Sequence, residues 1–175
     1  KVPHLFDIPL RSCVSRDVDN LMFAGRNISA THVAFASTRV MATCAVVGQG
    51  VGVAAASAVQ HRVTASQLCE RPDLIEQVQR TLLREDCYLI ARNFRSDNPP
   101  DHIAASSHQP GGEPINILTG QTRSVHGADG APPDRAFPGT HRWMSDPAAG
   151  FPATLELQWN APITVQSVEL IFDTG

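Results

Sequence analysis

An uncharged run of small and apolar residues, Ala42 to Val59, constrains the fold of this chain more than any other feature. It is long enough to suggest a membrane span, but it is mostly Ala and Gly, contains Gln49, and lacks Leu, Ile and Phe. Since Ala and Gly contribute little to membrane insertion, the run predicts a buried helix of a soluble protein. We expect this helix to begin near residues 37–39 and to end before His61, and we expect no membrane partner.

A stripe of small residues follows one side of this predicted helix. Gly48, Gly52 and Ala56 recur every four residues, so they lie on the same helical face. The stripe predicts close packing of the helix against a sheet or a second helix.

The composition of the chain changes near Ser96. Three of the 13 prolines precede it and ten follow, and the first part carries 11 basic against 8 acidic residues, the second 3 against 9. Pro99-Pro100 cannot continue a helix and stiffens an extended crossing. We therefore predict one domain over 1–96, a linker over 97–101 and a second domain over 102–175.

The first part is typical of mixed α/β structure. Asn20 to Ala24 is a short apolar run ended by Gly25, which favours a buried strand, although periodicity alone leaves a helix open. Pro72 in a first turn, with leucines and valine following at helical spacing, predicts an amphipathic helix.

The second part is typical of all-β structure. Thr154 to Trp159 alternates apolar and polar residues, which predicts a half-buried strand. Ile163 to Phe172 predicts a further strand, with a bulge or break at residues 166–167 where the alternation shifts phase. A long loop rich in Gly, Pro, His and Asp covers 119–141.

Charge and cysteine usage exclude several classes of protein. The net charge of −3 argues against a nucleic-acid partner, because such domains carry a basic excess. The four cysteines contain no CxxC pair, which excludes zinc ribbons and thioredoxin-like sites and favours buried free thiols; they are Cys13, Cys44, Cys69 and Cys87.

Three contiguous motifs carry a family resemblance over about residues 1–92. They read GR-x-x-S from Gly25 to Ser29, RVM at Arg39 to Met41, and GQxxGxAA from Gly48 to Ala55. This signature resembles the C-terminal part of FAD-dependent oxidoreductases, some of them described as xanthan-lyase-associated. The resemblance implies an α/β fold, the C-terminal part of an FAD-binding Rossmann-type domain, with FAD as cofactor.

The resemblance also implies which residues meet the cofactor. The positive end of the long helix is expected to stabilise negative charge at the flavin N1 and O2, through backbone contacts from Arg39, Val40 and Met41. Gly25, Arg26 and Ser29 are implied neighbours of the ribityl-diphosphate, with the role of Arg26 open between phosphate binding and a structural salt bridge. Taken alone, such a turn and such a helix are usually structural.

His32 is the candidate catalytic residue, because an imidazole exchanges protons near neutral pH and this one is expected in the turn between strand and helix. A lone histidine is more often structural.

The dinucleotide fingerprint GxGxxG of such enzymes is absent from the sequence. Gly48, Gly50 and Gly52 do not replace it, since they fall within a predicted helix. We therefore expect the chain to be a C-terminal fragment whose partner is the missing N-terminal half of the same protein. Alone it is expected to be inactive and not to bind FAD tightly.

The second part resembles the beginning of a discoidin-like, galactose-binding-like jelly roll, from His102 through Trp143 and Leu155 to Phe172. This implies an all-β sandwich, here incomplete. Trp143 is a candidate for stacking on a saccharide, although the equivalent tryptophan more often packs as core. Four residues in the loop region, His126, Asp129, Asp134 and His141, match no firm ligand pattern, and we expect no metal.

Together these features predict the flavin-ring side of an oxidoreductase acting on a saccharide or other alcohol. The alternative is a non-catalytic carbohydrate-binding or interaction module, and a module that only shields the catalytic domain or forms subunit contacts stays open. The sequence does not decide the compartment; a sugar-facing module favours a periplasmic or secreted location.

Overall fold

The computed structural model describes residues 6–90, 92, 96–120 and 141–172. The chain divides into two compact units, 1–92 and 93–175. The predicted linker, 97–101, lies within the second unit, where it is hydrogen-bonded to a strand described below. The expected domain bounds remain predictions.

The first unit is helical throughout its described regular structure. Its elements are a 3-10 turn at Leu10–Cys13, α1 at His32–Thr38, α2 at Met41–His61, α3 at Ala65–Glu70 and α4 at Pro72–Arg84. The α/β character expected for this part is therefore not seen as a sheet in the described residues. Extended segments meet only at isolated bridges, Val14 with Met22 and Leu89 with Arg92.

Helix α2 begins two to four residues later than expected, because a separate helix precedes it. The Thr31 hydroxyl accepts a bond from the Ala34 N–H at 3.3 Å and starts α1, in a segment where the sequence predicts a turn. Val40 is extended, with φ −72° and ψ 140°, and this breaks the chain between α1 and α2.

The packing expected of α2 is wrong in two respects. Only Val47, Ala54 and Ala58 are buried along the helix, so it is not a buried helix. A Cβ placed on Gly48 or Gly52 meets nothing within 4 Å, so the small-residue stripe packs closely on no described residue. By length and composition alone α2 could cross a membrane, a test that the core helix of a soluble protein also passes.

The main core lies where α2, α3 and α4 meet. Leu68 of α3 and Leu74 of α4 are fully buried against Ala54 and Ala58 of α2. The amphipathic helix predicted from Pro72 is confirmed as α4, and its leucines supply the core. Helix α3 was not predicted, although its Thr64–Gln67 capping box is a recognisable start signal.

The buried strand predicted at Asn20 to Ala24 is wrong. Only Met22 forms a bridge, and the segment pairs with one short neighbour through Phe23 N–H to Cys13 O at 2.7 Å. Leu21 is 40% exposed. One narrow partner buries only one side of the segment, whereas a central strand needs neighbours on both.

The second unit contains a two-stranded antiparallel sheet. Strand β1, His102–Ala105, pairs with β2, Leu155–Gln158, with His102 opposite Gln158 and Ala105 opposite Leu155. The strand predicted at Thr154 to Trp159 is thus confirmed in β2, but Leu157 is 40% exposed, so the half-buried face expected for it is wrong.

Two hydrogen bonds tie the predicted linker to β2 and to the residue that follows it. The Asp101 N–H donates to Gln158 O at 2.9 Å, and the Trp159 indole donates to Asn98 O at 3.2 Å.

The predicted strand from Ile163 to Phe172 is wrong, and the jelly-roll sandwich is not confirmed. Residues 162–172 contain no regular structure, and Val165, Val168 and Phe172 are 57%, 76% and 78% exposed. Without a strand at 163–172 there is no bulge at 166–167. A sandwich needs a second sheet covering the apolar face of the first, and the described residues supply only one sheet. Most of the predicted loop at 119–141 lies outside them.

A tight backbone crossing organises the rest of the described second unit. The Gly112 N–H donates a hydrogen bond to Gln109 O at 2.9 Å, and the Gly112 carbonyl accepts one from the Met144 N–H at 3.1 Å. A Cβ at Gly112 would lie 2.7 Å from the Met144 Cβ and 2.9 Å from its backbone nitrogen, so only glycine fits. Buried Asn116 donates to the carbonyls of Gly111 and Arg142 and holds the two segments together.

Candidate functional site

The N-terminal end of α2 presents free backbone donors. Val40 is its N-cap and provides no side-chain hydrogen bond, and the first helical bond runs from Cys44 N–H to Val40 O at 2.9 Å. The N–H groups of Met41, Ala42 and Thr43 therefore have no carbonyl of their own helix to bond. Val40 and Met41 are 55% and 87% exposed, so these donors lie at the surface. Such an end attracts negative charge.

The glycine turn predicted to meet the cofactor lies beside this helix end. Gly25 has φ +89°, a left-handed conformation that favours glycine. A Cβ at Gly25 would lie 3.9 Å from the Cβ of Cys44, in the first turns of α2. The fold therefore brings Gly25 close to the start of α2, although about 15 residues separate them in sequence.

Arg26 and Phe35 form a cation–π contact. The guanidinium carbon lies 5.7 Å from the ring centroid, which ties the turn to helix α1. Arg26 is otherwise exposed and has no ion pair within the described ranges. This gives Arg26 a structural contact, though a different one from the salt bridge considered from sequence.

The other predicted residues are placed at the ends of elements. Ser29 is exposed and its N–H donates to Ser12 O at 2.7 Å; Arg39 is the exposed C-cap of α1. His32 is the exposed first residue of α1, not a turn residue. The site roles predicted for these residues remain predictions.

A cleft of about 1000 Å³ lies in the same unit. Its walls come from the segment 6–13, the second half of α1, the start and middle of α2, Cys69 of α3, one face of α4, and residues 87–89 and 92. The lining is mostly aliphatic, including Ile8, Leu10, Val40, Val46, Val47, Val51, Ile75, Val78, Leu82 and Leu89. Of the residues predicted from sequence to meet FAD, Val40 lines this cleft, and so do Ala42 and Thr43 in the first turn of α2.

Two arginines and one acid supply the charge of the cleft lining, Arg11, Arg92 and Asp7. Asp7 Oδ1 accepts a hydrogen bond from Ile90 N–H at 3.3 Å, which joins the segment 6–13 to the residues that follow α4. Neither arginine is in an ion pair in the part of the chain that the structure describes. The lining therefore carries a net positive charge.

Three thiols and a phenol also line the cleft. Burial raises the pKa of Cys13, and it raises the pKa of Cys69 against an opposing effect of the nearby Arg11 charge. Burial and the neighbouring Asp7 raise the pKa of Tyr88. Cys13, Cys69 and Tyr88 are therefore neutral at pH 7. All four cysteines are free thiols, as predicted, but the predicted burial is confirmed only for Cys13 and Cys87 and is wrong for Cys44 and Cys69, which are half-buried.

One comparison with known proteins found a match within the first unit. Residues 1–82 match the family model for FAD dependent oxidoreductase. The match covers α1, α2, α3 and most of α4, and the cofactor of this family is FAD. No curated protein and no solved structure matches the chain.

The donor set at the start of α2 fits FAD. The pyrimidine edge of a flavin presents acceptor atoms, and the free N–H groups of Met41, Ala42 and Thr43 are donors at the positive end of a 21-residue helix.

The residues of the second unit that were considered for saccharide or metal binding form no binding site among the described residues. The indole N–H of Trp143 donates to Ser107 O at 3.0 Å and the ring is half-buried. The indole N–H therefore already has a hydrogen-bond partner within the protein. His126, Asp129 and Asp134 lie outside the described residues. Within the described residues there is no group of three or more potential metal ligands among His, Cys, Asp and Glu.

Sequence reasoning missed the cleft. The sequence analysis assigned no site role to Ile8–Arg11, Tyr88 or Arg92. Arg11 and Arg92 each lie beside apolar residues in the sequence, which is a signal for a charged group at an apolar wall. No spacing rule shows that residues so far apart in sequence line the same cleft.

Proposed function

We propose that this chain supplies the flavin-ring side of the FAD site in an FAD-dependent oxidoreductase. The observation that carries the proposal is the exposed, uncapped start of α2 within a region that matches this family. There the N–H groups of Met41, Ala42 and Thr43 would bind the pyrimidine edge of the flavin. Gly25, Arg26 and Ser29 would lie along the ribityl-diphosphate.

Bound FAD would supply two-electron acceptor chemistry for oxidation of an alcohol carbon, on a saccharide or another alcohol. The chain's own donors would hold the cofactor and favour negative charge at its pyrimidine edge. The saccharide assignment draws on the resemblance of the second part to galactose-binding-like modules. The same resemblance supports a periplasmic or secreted location.

Alcohol oxidation also releases the hydroxyl proton, and His32 is the candidate acceptor. It is exposed and close in sequence to the Gly25 turn. If His32 takes this proton, a His32→Gln variant loses kcat at neutral pH with FAD still bound. Unchanged kcat and an unchanged pH profile in this variant would exclude the role.

The missing partner of the site is a further segment of the same protein carrying the dinucleotide fingerprint. Two observations support it: the fingerprint is absent from 1–175, and a Cβ on Gly48 or Gly52 of α2 meets no described residue. This segment would bind the adenosine half of FAD, and a close-packing neighbour would cover the stripe. The fragment alone is therefore expected to retain no FAD.

The sharpest test removes one backbone donor at the start of α2. Met41→Pro deletes the N–H at the first helical position, where proline is well tolerated, and the extended Val40 before it already suits a following proline. Met41→Ala is the matched control, since it also removes the side chain but keeps the N–H. Both are made in the gene product that includes the fingerprint.

We expect Met41→Pro to weaken FAD binding by roughly tenfold or more relative to Met41→Ala, the loss of one hydrogen bond to a negatively charged group. FAD dissociation is followed by flavin fluorescence, and thermal unfolding of the apoproteins checks that both variants fold alike. Equal FAD affinity of the two variants would refute the contact.

A further inference from the structure

The family match assigns no ligand to the cleft of the first unit. This cleft has a volume of about 1000 Å³, at the upper end of the range for small-molecule sites. Its walls combine aliphatic side chains from α2 and α4 with a net positive charge from Arg11, Arg92 and Asp7. An apolar wall with a few charged groups gives both affinity and orientation to a ligand.

The two kinds of lining specify complementary parts of one ligand. Val47, Val78 and Leu82 are buried aliphatic side chains at the wall, and they would cover an acyl chain or ring. Arg11 lies at the wall and close enough to Cys69 to influence its thiol, so its charge is near the apolar lining. Guanidinium groups bind carboxylates through charge-assisted hydrogen bonds.

The acidic residue of the lining is already engaged. Asp7 accepts the Ile90 N–H, so its carboxylate has a structural partner within the wall. Cys13, Cys69 and Tyr88 stay neutral at pH 7 because their pKa values are raised. The arginines are thus the charged groups of the lining that remain without an ion pair in the described residues.

We propose that this cleft binds an organic monoanion with an apolar body, such as a medium-chain carboxylate, with Arg11 holding the carboxylate and the aliphatic wall holding the chain. The cleft shares Val40, Ala42 and Thr43 with the proposed flavin site, but the proposal concerns binding of the anion by this chain in the absence of FAD. It is tested without FAD, so failure of either proposal leaves the other standing.

The probes are three small molecules that separate charge from apolarity. Octanoate has both, octanamide has the chain without the charge, and gluconate has the carboxylate without the apolar body. Binding to the full 175-residue chain is measured by isothermal titration calorimetry at pH 7. We expect octanoate to bind at least tenfold more tightly than octanamide and gluconate to show no binding.

Two glycines of α2 provide a matched pair of blocking variants. A Cβ at Gly50 or at Gly52 meets nothing within 4 Å, but only Gly50 lines the cleft. Gly50→Leu should weaken octanoate binding at least tenfold by placing a side chain at the cleft wall. Gly52→Leu should leave octanoate affinity within twofold of the parent chain and shows that a leucine in α2 is tolerated.

A second pair tests the anion contact. Arg11→Gln should reduce octanoate affinity to the level of octanamide, whereas Arg16→Gln, an exposed arginine outside the cleft, should not. Far-UV circular dichroism confirms folding of each variant. Equal binding of octanoate and octanamide, no binding of octanoate, or unchanged affinity in folded Gly50→Leu would each overturn the proposal.

Discussion

Replacing the glycines of the α2 stripe with alanine should stabilise this chain. Gly48 and Gly52 lie in the interior of a 21-residue helix, and a Cβ at either position meets nothing within 4 Å. Glycine in a helix interior costs about 0.8–1.0 kcal/mol relative to alanine, chiefly through its greater freedom in the unfolded chain. The double variant Gly48→Ala/Gly52→Ala should therefore gain about 2 kcal/mol.

The gain is large enough to measure by thermal unfolding. For a unit of this size, about 1 kcal/mol shifts the midpoint by roughly 4–8 °C, so we expect an increase of roughly 8–16 °C. Circular dichroism at a helix wavelength reports the first unit, because all four described α-helices belong to it. Ala56→Gly, an exposed position on the same stripe, is the reverse control and should lower the midpoint.

The opposite result would refute the packing described here. If the stripe packs closely on another part of this chain, added methyl groups overpack the contact and cost about 1–3 kcal/mol. A lower midpoint for the double variant would show that the stripe is covered in the 175-residue chain. With the proposed fingerprint-carrying segment present, by contrast, we expect the same double variant to weaken FAD retention, because that segment would cover the stripe.

Four further predictions follow from single contacts. Gly112→Ala should destabilise the second unit by more than about 1 kcal/mol in urea unfolding followed by tryptophan fluorescence, because its Cβ would collide with the Met144 backbone; an unchanged midpoint would contradict the crossing. Arg62→Gly should stabilise the first unit by up to about 1 kcal/mol, since Arg62 ends α2 with φ 55°, and any loss of stability would argue against that conformation. Leu74→Ala should cost about 2–5 kcal/mol in the same helix-detected unfolding, and a cost under about 1 kcal/mol would mean that Leu74 is not in the core. Burial raises the pKa of Cys69, so iodoacetamide should alkylate it more slowly than free cysteine at pH 8 and faster as the pH rises through that pKa; a rate equal to free cysteine at pH 8 would contradict the burial.

Sequence patterns predicted those elements whose signals are local. Helix α4 follows from Pro72 and the leucine spacing, and β2 follows from the alternation around Leu155 and Leu157. Helix α1 was missed because its start depends on one capping bond from Thr31, which is easily interpreted as part of a turn.

Patterns failed where structure depends on a distant partner. Ile163 to Phe172 has strand composition, but a strand forms only when a neighbour accepts its backbone bonds, and the described residues provide none there. The Gly48–Gly52 stripe likewise predicts close packing without naming the surface it meets. Both segments leave apolar or small residues exposed.

The candidate cofactor site was predictable because a family signature marks it. Gly25 and Val40 were singled out from sequence, and the fold places the Gly25 turn beside the first turns of α2. The cleft was not predictable, because its wall joins residues 7 and 11 to residues 88 and 92 through the packing of two helices.

The visible absorption spectrum of the full gene product as purified tests the central claim most directly. It is compared with the spectrum of this 175-residue chain after incubation with excess FAD and removal of free cofactor. We expect flavin bands in the full gene product and none in the isolated chain. A well-folded full gene product that neither contains nor takes up flavin would contradict the proposal that the start of α2 serves an FAD site.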